Sequence, residues 1–556
     1  MTAHTPLLRS LQRLFRDHQL ARAHGIPVEA LPDLRAQARE HKPPPRLSRR
    51  AFLAGAFASA TALALGLDRP SRAADTPRIA IVGAGIAGLS CALDLRDRGV
   101  HATVYEASDR VGGRMFSNIG YFDEGQVSEW CAELIDTDNL ALHRLAARFG
   151  LTVDDLHAGQ AMGAEETYYL DGAYYPKAQA DADFGAVYEA LAKDLAAAGC
   201  PTTYDACSDV GRALDATSVH DWIEQRVPGG HTSPLGRLLD VAYVIQHGAD
   251  TADQSALNLI YFLGHQPAMT APPLMMFGIS DERYHVRGGN QRIPEAIARS
   301  LGDAVVRGHR LIRLARTPAG RSALTFATNQ GDVEVVADLV VLALPFAVLR
   351  DVDLAGAGFD ERKMRAIREL GCAHNGKTHV QFTDRIWTRP GPWPHVSNGS
   401  SYSDTGYQNT WEVSRGQCCN SGILVFYTGG PVTDAMVTRT AFSAAPAPGV
   451  LTDAAIMLDR AEPVFPGLRA RWNGKATQSL PHLSDLRKAS YVYRRVGQYT
   501  AFGGYEGVRQ GNVLFCGEHT SLTHPAHMEG AAREGLRAAH DIAEILSLPS
   551  PMEARP

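Results

Sequence analysis

The sequence predicts an α/β protein in which a Rossmann-like dinucleotide-binding domain is interwoven with a second domain of α+β structure. A glycine-rich turn at 83–88 stands between a short apolar strand and a helix-like segment. Apolar, strand-like runs return far downstream, at 337–345 and 512–516. Between the glycine-rich turn and these downstream runs, residues 139–282 are rich in Ala and Leu at helical spacing. A parallel sheet built from separated segments, with a helical insertion, accounts for these patterns.

Composition and charge exclude several classes of protein. The 556 residues are 45% hydrophobic and 21% charged, which excludes a disordered chain, a collagen-like repeat and a coiled coil. The chain has 55 basic and 60 acidic side chains, a balance that argues against nucleic acid as the main partner. Eight cysteines are too few for a disulfide scaffold. Cys200 and Cys207 are close enough in sequence to bridge, but we expect isolated thiols.

The first 73 residues have the pattern of a twin-arginine export signal. Arg49-Arg50 is followed by a Phe-Leu pair and an apolar run at 54–67, too short to span a bilayer. We predict cleavage after Ala73, the twin-arginine export machinery as a partner, and a periplasmic or secreted product. An amphipathic surface helix is the alternative. This segment has 12 basic and 5 acidic residues, so the other 483 have 43 basic and 55 acidic residues, a net charge of −12.

The turn at 83–88 predicts a dinucleotide site. Glycines allow the backbone to approach a pyrophosphate, and the start of the following helix, 89–98, offers free N–H groups. A second strand at 100–105 ends at Glu106, where a carboxylate can accept hydrogen bonds from the adenosine ribose hydroxyls. The candidate binding residues here are Gly83, Gly85, Ala87, Gly88 and Glu106.

The next residues separate FAD from NAD. Ala107 is followed by a loop that ends Gly112-Gly113-Arg114, directly after the second strand. With the preceding motif, this loop resembles the flavin-containing amine oxidases, the superfamily of monoamine, polyamine and L-amino acid oxidases. The resemblance implies that the loop wraps the pyrophosphate of FAD, and Arg114 is expected to offset phosphate charge.

Later segments extend the resemblance over about residues 76–548. Near the C-terminus, Gly517-Glu518 follows a strand, and the acid is expected to accept from a ribityl hydroxyl. His527-Met528 opens a helix whose N-terminus stabilises negative charge on the reduced flavin. Leu536 and Ile542 are expected on the core face of that helix. The predicted FAD-binding domain comprises 76–138, 284–350 and 505–548, and the substrate domain, with its helical cover, comprises 139–283 and 351–504.

Lys377 lies in a segment that resembles the family's strand with an active-site lysine. By resemblance, it is held near the flavin through a water molecule and assists reoxidation by oxygen. An exposed lysine at a strand edge is the alternative.

Two residues are candidates for an aromatic cage around the substrate amine. Tyr491 aligns with a cage tyrosine, and Ser490 occupies the position of the cysteine that joins monoamine oxidases to their flavin, so we expect non-covalent FAD. The second cage position holds His527, which is either a polar contact to the substrate or a helix cap.

Glu133 occupies the place where L-amino acid oxidases often hold the substrate carboxylate with an arginine. Glu133-Leu134 provides no such arginine, which favours an amine over an α-amino acid. Glu133 either attracts a substrate ammonium or is a structural carboxylate.

We therefore expect an FAD-dependent amine oxidase. Hydride-equivalent transfer from the amine's α-carbon to the flavin gives an imine, then a carbonyl compound and ammonia, and O2 is reduced to H2O2. The alternatives are an L-amino acid oxidase, a flavin dehydrogenase or desaturase that reduces a quinone, and a non-catalytic flavin-binding factor. We expect no metal and no membrane span, and an assembly of two copies is compatible with the resemblance.

Overall fold

The structure is a computed structural model that describes residues 77–199, 201–264, 274, 276 and 280–548. The predicted export signal at 1–73, its cleavage site and Cys200 lie outside these residues.

A five-stranded parallel sheet, called here the nucleotide sheet, is assembled from distant parts of the chain. Its strands, in spatial order, are Val513–Phe515, Leu339–Leu342, Ile79–Val82, Ala102–Tyr105 and Val305–Val306. The central strand is buried at every position, as expected for a parallel sheet covered on both faces. The fold class predicted from the sequence is confirmed, although the domain boundaries stay a prediction.

An eight-stranded sheet, called here the substrate sheet, forms the second layer. Its spatial order is Phe442–Ala444, Trp472–Ser479, Asn375–Phe382, Gly422–Gly429, Gln408–Glu412, Ser397–Ser403, Glu165–Leu170 and Ala173–Tyr174. Neighbouring strands are antiparallel except for one parallel pair, Ser397–Ser403 with Glu165–Leu170. The strand that contains Lys377 therefore lies third in this sheet, with a partner on each side.

Smaller sheets connect these layers. One has three antiparallel strands, Arg310–Arg316, Ser322–Thr328 and Gly331–Ala337. Three are strand pairs: Gly371–Cys372 with Val492–Tyr493, Ser117–Asn118 with Ser128–Glu129, and Val153–Asp155 with Tyr284–Val286.

The described α-helices pack on both sheets. They are Ile86–Asp97, Leu140–Arg148, Lys177–Ala198, Asp209–Asp215, Val219–Arg226, Pro234–His247, Ala256–Leu263, Arg292–Leu301, Phe346–Leu349, Glu361–Glu369, Pro431–Asp434, Pro448–Ala461, Gln498–Phe502 and Met528–Ile545. Those between 177 and 263 form the predicted helical cover and share one hydrophobic core. Across the described residues, no helix combines the length and apolar character that a membrane span requires.

The helix Met528–Ile545 packs on the nucleotide sheet side by side with Ile86–Asp97. Ile542 is fully buried on its inner face, as predicted, but Leu536 is 39% exposed, so the prediction for Leu536 was wrong. The inner face is instead formed by small residues, including Gly535, whose added Cβ would lie 2.1 Å from the carbonyl oxygen of Ala87. Close approach of the two helices leaves no room for a large side chain there.

Candidate active site

One cavity of about 790 Å³ connects the edge of the nucleotide sheet with the substrate sheet. Its walls include every candidate residue named above except Gly88. The volume lies within the range of about 300–1,000 Å³ typical of ligand sites. The structure therefore brings the predicted cofactor residues and the predicted substrate residues into one continuous space.

The first helix presents a free N-terminus to this cavity. Its N-cap residue, Gly85, makes no side-chain cap, and no acidic residue lies in the first turn. A Cβ added to Gly85 would meet nothing within 4 Å, whereas a Cβ added to Gly88 would lie 2.0 Å from the carbonyl oxygen of Gly83. Gly88 thus sets the contact between helix and turn, and Gly85 leaves open space where a pyrophosphate can approach.

Glu106 lies in the cavity at the end of the second strand. Its Oε2 accepts from the backbone N–H of Ala84 at 2.8 Å, and its Oε1 accepts from the N–H and hydroxyl of Ser108 at 2.9 and 2.7 Å. These bonds fix the carboxylate and leave lone pairs for the predicted ribose hydroxyls.

Two arginines beside the turn fit a diphosphate. Arg110 and Arg487 both line the cavity and lie over the ring of Phe116, at 3.9 and 5.7 Å from its centroid. Among the described residues, neither has a carboxylate within 4.0 Å, and Arg487 Nε is buried with no hydrogen-bond partner. Burial, and then the charge of Arg487, lowers the pKa of Arg110 to about 10. Two crowded cations with an unused donor match the charge of a dinucleotide pyrophosphate.

Arg114 and Glu518 pair with each other. Arg114 Nη1 donates to Glu518 Oε1 at 2.8 Å and to the carbonyl of Ser490 at 2.9 Å, while Glu518 Oε2 accepts from the N–H of Ala526. We expected Arg114 to offset phosphate charge and Glu518 to bind a ribityl hydroxyl. Both residues line the cavity wall. Their ion pair also connects the Gly-Gly-Arg loop to the C-terminal turn, so each already has a partner within the protein.

Lys377 and Glu133 also form a buried pair. Lys377 Nζ donates to Glu133 Oε2 at 2.6 Å and to the carbonyl of Cys131 at 2.7 Å, and Trp411 Nε1 donates to Glu133 Oε1 at 2.8 Å. Burial acts to raise the pKa of Glu133, but Lys377, with smaller contributions from His379 and Trp411, lowers it overall. Lys377 is therefore not an exposed lysine at a strand edge. Both oxygens of Glu133 are engaged, which favours the structural alternative for that residue.

An aromatic wall flanks this pair. The hydroxyl of Tyr491 donates to the carbonyl of Gln246 at 2.8 Å and lies 2.9 Å from the hydroxyl of Tyr427. The rings of Tyr427 and Trp411 are 5.1 Å apart in an edge-on arrangement. All three aromatic side chains line the cavity, so the predicted cage residue Tyr491 belongs to a larger wall.

His527 lies at the N-cap of the helix Met528–Ile545 and lines the cavity. Its Nδ1 lies 2.7 Å from the carbonyl oxygen of Pro525, and its ring centroid lies 6.2 Å from that of Phe262. Burial is the main cause of the lowered pKa of His527, so the ring is neutral at neutral pH. Met528 adjoins it in the wall. His527 thus occupies the N-cap position, but its side chain makes no cap hydrogen bond, and the residue lines the cavity. Its contact with a substrate stays a prediction.

Several residues that line this site were not identified from the sequence. Arg110 and Arg487 lie 377 positions apart, and Tyr427 and Trp411 reach the site through strand pairing. A basic residue just before Ser490-Tyr491 was the one available signal for Arg487.

Comparisons with known proteins agree with this geometry. The family model described as "Flavin containing amine oxidoreductase" matches residues 86–543. The L-amino-acid oxidase of Mus musculus is 24% identical over 503 residues, covering 85% of this chain and 71% of that protein. Polyamine oxidase 2 of Arabidopsis thaliana is 24% identical over 478 residues, covering 84% and 88%.

Solved structures share the fold. Cyclohexylamine oxidase from Brevibacterium oxydans superimposes with a TM-score of 0.69 at 19% identity, covering 85% of this chain and all of that one. A putrescine oxidase variant also gives a TM-score of 0.69 at 19% identity, covering 84% and 99%. With the family match spanning most of its length, and with a dinucleotide cradle and an aromatic-walled cavity in one space, this chain belongs to the flavin-containing amine oxidoreductase family.

Proposed function

We propose that the chain is an FAD-dependent amine oxidase that converts a CH–NH2 group to an imine. Water then releases a carbonyl compound and ammonia. The reaction removes two electrons and two protons from the amine and delivers them to O2 as H2O2. When bound, FAD supplies the two-electron acceptor for the carbon beside the amine.

The single observation that carries this proposal is the position of the Lys377–Glu133 pair. It lines the same cavity as the dinucleotide cradle and the wall of Tyr427, Tyr491 and Trp411, and Trp411 donates a hydrogen bond to Glu133. The aromatic faces exclude water and orient an amine, and Lys377 holds a proton at Nζ beside the reacting region. Its neighbour Glu133 keeps that nitrogen in one place.

We infer that FAD is bound without a covalent link. The hydroxyl of Ser490 donates to Asn375 Oδ1 at 2.6 Å and lies 2.9 Å from the carbonyl oxygen of Ala373, and this position offers no thiol. Charge–charge contacts from Arg110 and Arg487, together with the helix N-terminus at Gly85, are the proposed source of affinity.

Oxidation of an amino acid is the second candidate. Glu133 is already engaged by Lys377 and Trp411, so it is not a free anion for a substrate ammonium. The curated relatives named L-amino-acid oxidase include those of mouse, Siganus canaliculatus and Vipera ammodytes ammodytes. Oxidation of amino acids, with no oxidation of the amines that lack their carboxylate, supports this candidate.

The electron acceptor separates an oxidase from a dehydrogenase. We propose O2, and a peroxide-coupled assay tests it directly. Stoichiometric H2O2 supports the oxidase, whereas turnover that needs a quinone and yields no peroxide supports the dehydrogenase. Lys377→Met should slow reoxidation of the reduced flavin by O2 at least about 10-fold. An unchanged rate of both reduction and reoxidation removes Lys377 from the chemistry. Failure of every amine to reduce the flavin would instead support a non-catalytic flavin-binding role.

We also propose export by the twin-arginine route, on the pattern of Arg49-Arg50, the apolar run at 54–67 and Ala73. Replacing both arginines with lysine should retain the flavin-loaded protein inside the cell. Unchanged export of that variant refutes the proposal.

A further inference from the structure

The part of the cavity beyond the aromatic wall contains an arginine without a charged partner. Arg415 lines the cavity, and its Nε donates to the carbonyl of Glu412 at 3.0 Å. The other two cations of this region are paired, Lys377 with Glu133 and Lys177 with Asp181. Within the described residues, no carboxylate oxygen lies within 4.0 Å of a side-chain nitrogen of Arg415. The terminal nitrogens of its guanidinium group remain free to bind an anion.

The sheet register places Arg415 away from the reacting region. Lys377, Tyr427 and Asn409 lie in one row across three strands of the substrate sheet. Glu412 is three residues further along its strand, or about 10 Å at about 3.3 Å per residue. Because Arg415 Nε is bonded to the carbonyl of Glu412, its guanidinium group lies near that end of the strand. From this separation along the sheet we expect a ligand that reaches both regions to be longer than an α-amino acid, in which the amine and the carboxylate share one carbon.

Three carboxyl groups, those of Glu166, Asp281 and Glu282, line the same region, and their charge decides which ligand fits. Asp281 accepts from the backbone N–H of Thr137 at 2.8 Å. The pKa of Glu282 is raised, first by desolvation and then by the charge of Asp136, while Arg415 acts to lower it. Glu282 lines the cavity and is solvent-exposed, so its carboxyl group is accessible to a ligand. Glu166 accepts from the hydroxyl of Tyr168 at 2.5 Å, and burial raises its pKa as well. Burial lowers the pKa of Arg415, and Glu412 is the carboxylate that acts most strongly to raise it. A protonated Glu282 donates a hydrogen bond to an anion and adds no negative charge beside Arg415.

The backbone of Glu282 adopts a strained conformation that fixes the position of its side chain. Glu282 has φ +42°, a left-handed conformation that a glutamate rarely adopts. Asp136 Oδ1 holds the turn by accepting from the N–H of Glu282 at 2.9 Å and from the hydroxyl of Ser280 at 2.6 Å. The constrained turn keeps the carboxyl group of Glu282 in the cavity wall near Arg415.

We propose that Arg415 binds a carboxylate at the end of the substrate remote from the amine, so that the preferred substrates are amines with a carboxylate several carbons from the oxidised carbon. This inference rests on the proposed amine oxidation. It assigns an anion-binding role to the end of the cavity that contains Arg415, and not to the Glu133-Leu134 position.

Matched substrates test the proposal. The kcat/KM values of the FAD-loaded protein are compared for pentylamine, 5-aminopentanoate and 2-aminopentanoate. We expect 5-aminopentanoate to be preferred over both of the others by at least about 10-fold, as a charge-assisted hydrogen bond provides. Arg415→Met should reduce the ratio of kcat/KM for 5-aminopentanoate to that for pentylamine about 10- to 100-fold. Arg415→Lys should retain part of this preference because the positive charge remains.

Binding of pentanoate, which has no amine to oxidise, gives a readout independent of turnover. Its dissociation constant, followed through the flavin absorbance, should rise at least about 10-fold in Arg415→Met. The control Arg299→Met removes an arginine whose side chain is 69% exposed on the helix Arg292–Leu301, and it should leave both readouts unchanged.

The possible results separate this inference from the proposed function. If no amine of any kind reduces the flavin, the proposed function fails, and pentanoate binding still tests Arg415. If other amines are oxidised but none of these three is, the inference is overturned while the function stands. If the amines are oxidised but the preference for 5-aminopentanoate is absent or unchanged in Arg415→Met, the inference is overturned while the function stands. A preference for 2-aminopentanoate also overturns it.

Discussion

Replacing Lys377 with methionine tests the buried ion pair at the centre of the site. Lys377 Nζ and Glu133 Oε2 are 2.6 Å apart, and the side chains are 9% and 6% exposed. At an effective dielectric constant of about 20, their attraction is about 6 kcal/mol, much of which offsets the cost of desolvating both groups. Methionine leaves Glu133 buried with Trp411 Nε1 as a donor, so the free energy of unfolding should fall by about 3–5 kcal/mol.

The double variant Lys377→Met/Glu133→Gln removes both charges and should recover at least about 2 kcal/mol of that loss. Urea denaturation followed by circular dichroism measures all three proteins. Lys475→Met is the matched control, because Lys475 pairs with Asp123 at 3.4 Å on the surface and should cost no more than about 1 kcal/mol. Wild-type stability in Lys377→Met, or a double variant no more stable than the single one, refutes the reasoning.

The pair also predicts a pH dependence. The pKa of Glu133 is lowered in the folded protein, so the pair's contribution is complete above the ordinary value of 4.5 and is lost as the pH falls through the lowered pKa. The stability gap between wild type and Lys377→Met should therefore narrow below pH about 4.5. A gap that stays constant down to pH 3, measured from urea midpoints, contradicts this assignment.

Further predictions concern the cofactor cradle. Gly88→Ala should destabilise the apoprotein by about 3 kcal/mol in urea titrations, because its Cβ would lie 2.0 Å from a carbonyl oxygen. Gly85→Ala should leave the apoprotein's stability within about 1 kcal/mol and weaken FAD binding at least about 10-fold, and equal effects of the two variants would contradict their separate roles. Arg487→Met should raise the dissociation constant for FAD, titrated by flavin fluorescence, about 10- to 100-fold; an unchanged value removes the arginine pair from pyrophosphate binding. Trichloroacetic acid should release all the flavin from the wild-type protein, and flavin retained in the precipitate would show a covalent link.

The first nucleotide-binding unit was predictable because its determinants are local. The spacing of Gly83, Gly85 and Gly88, the strand before them and Glu106 after them specify a turn, a helix N-terminus and an acceptor within about thirty residues. The structure shows the helix starting at Ile86, three residues earlier than the apolar spacing indicated, since Gly85 forms its N-cap.

The pairing of site residues was not predictable, because it depends on sheet register. Lys377 and Glu133 were each identified from the sequence, but no local pattern shows that residues 244 positions apart form an ion pair. Tyr427 reaches the site because it pairs with Lys377 across neighbouring strands, and Arg487 because the chain returns to Phe116. The positions of these side chains in the site are determined by tertiary contacts and not by their spacing in the sequence.

Anaerobic mixing of the FAD-loaded protein with a panel of amines and amino acids, followed by addition of O2, tests the central claim most directly. We predict that at least one compound with a CH–NH2 group bleaches the flavin absorbance, and that O2 restores it with one H2O2 formed per flavin. A flavin that no member of the panel reduces, in a protein shown to be folded and loaded, would contradict the assignment of this chain as an amine oxidase.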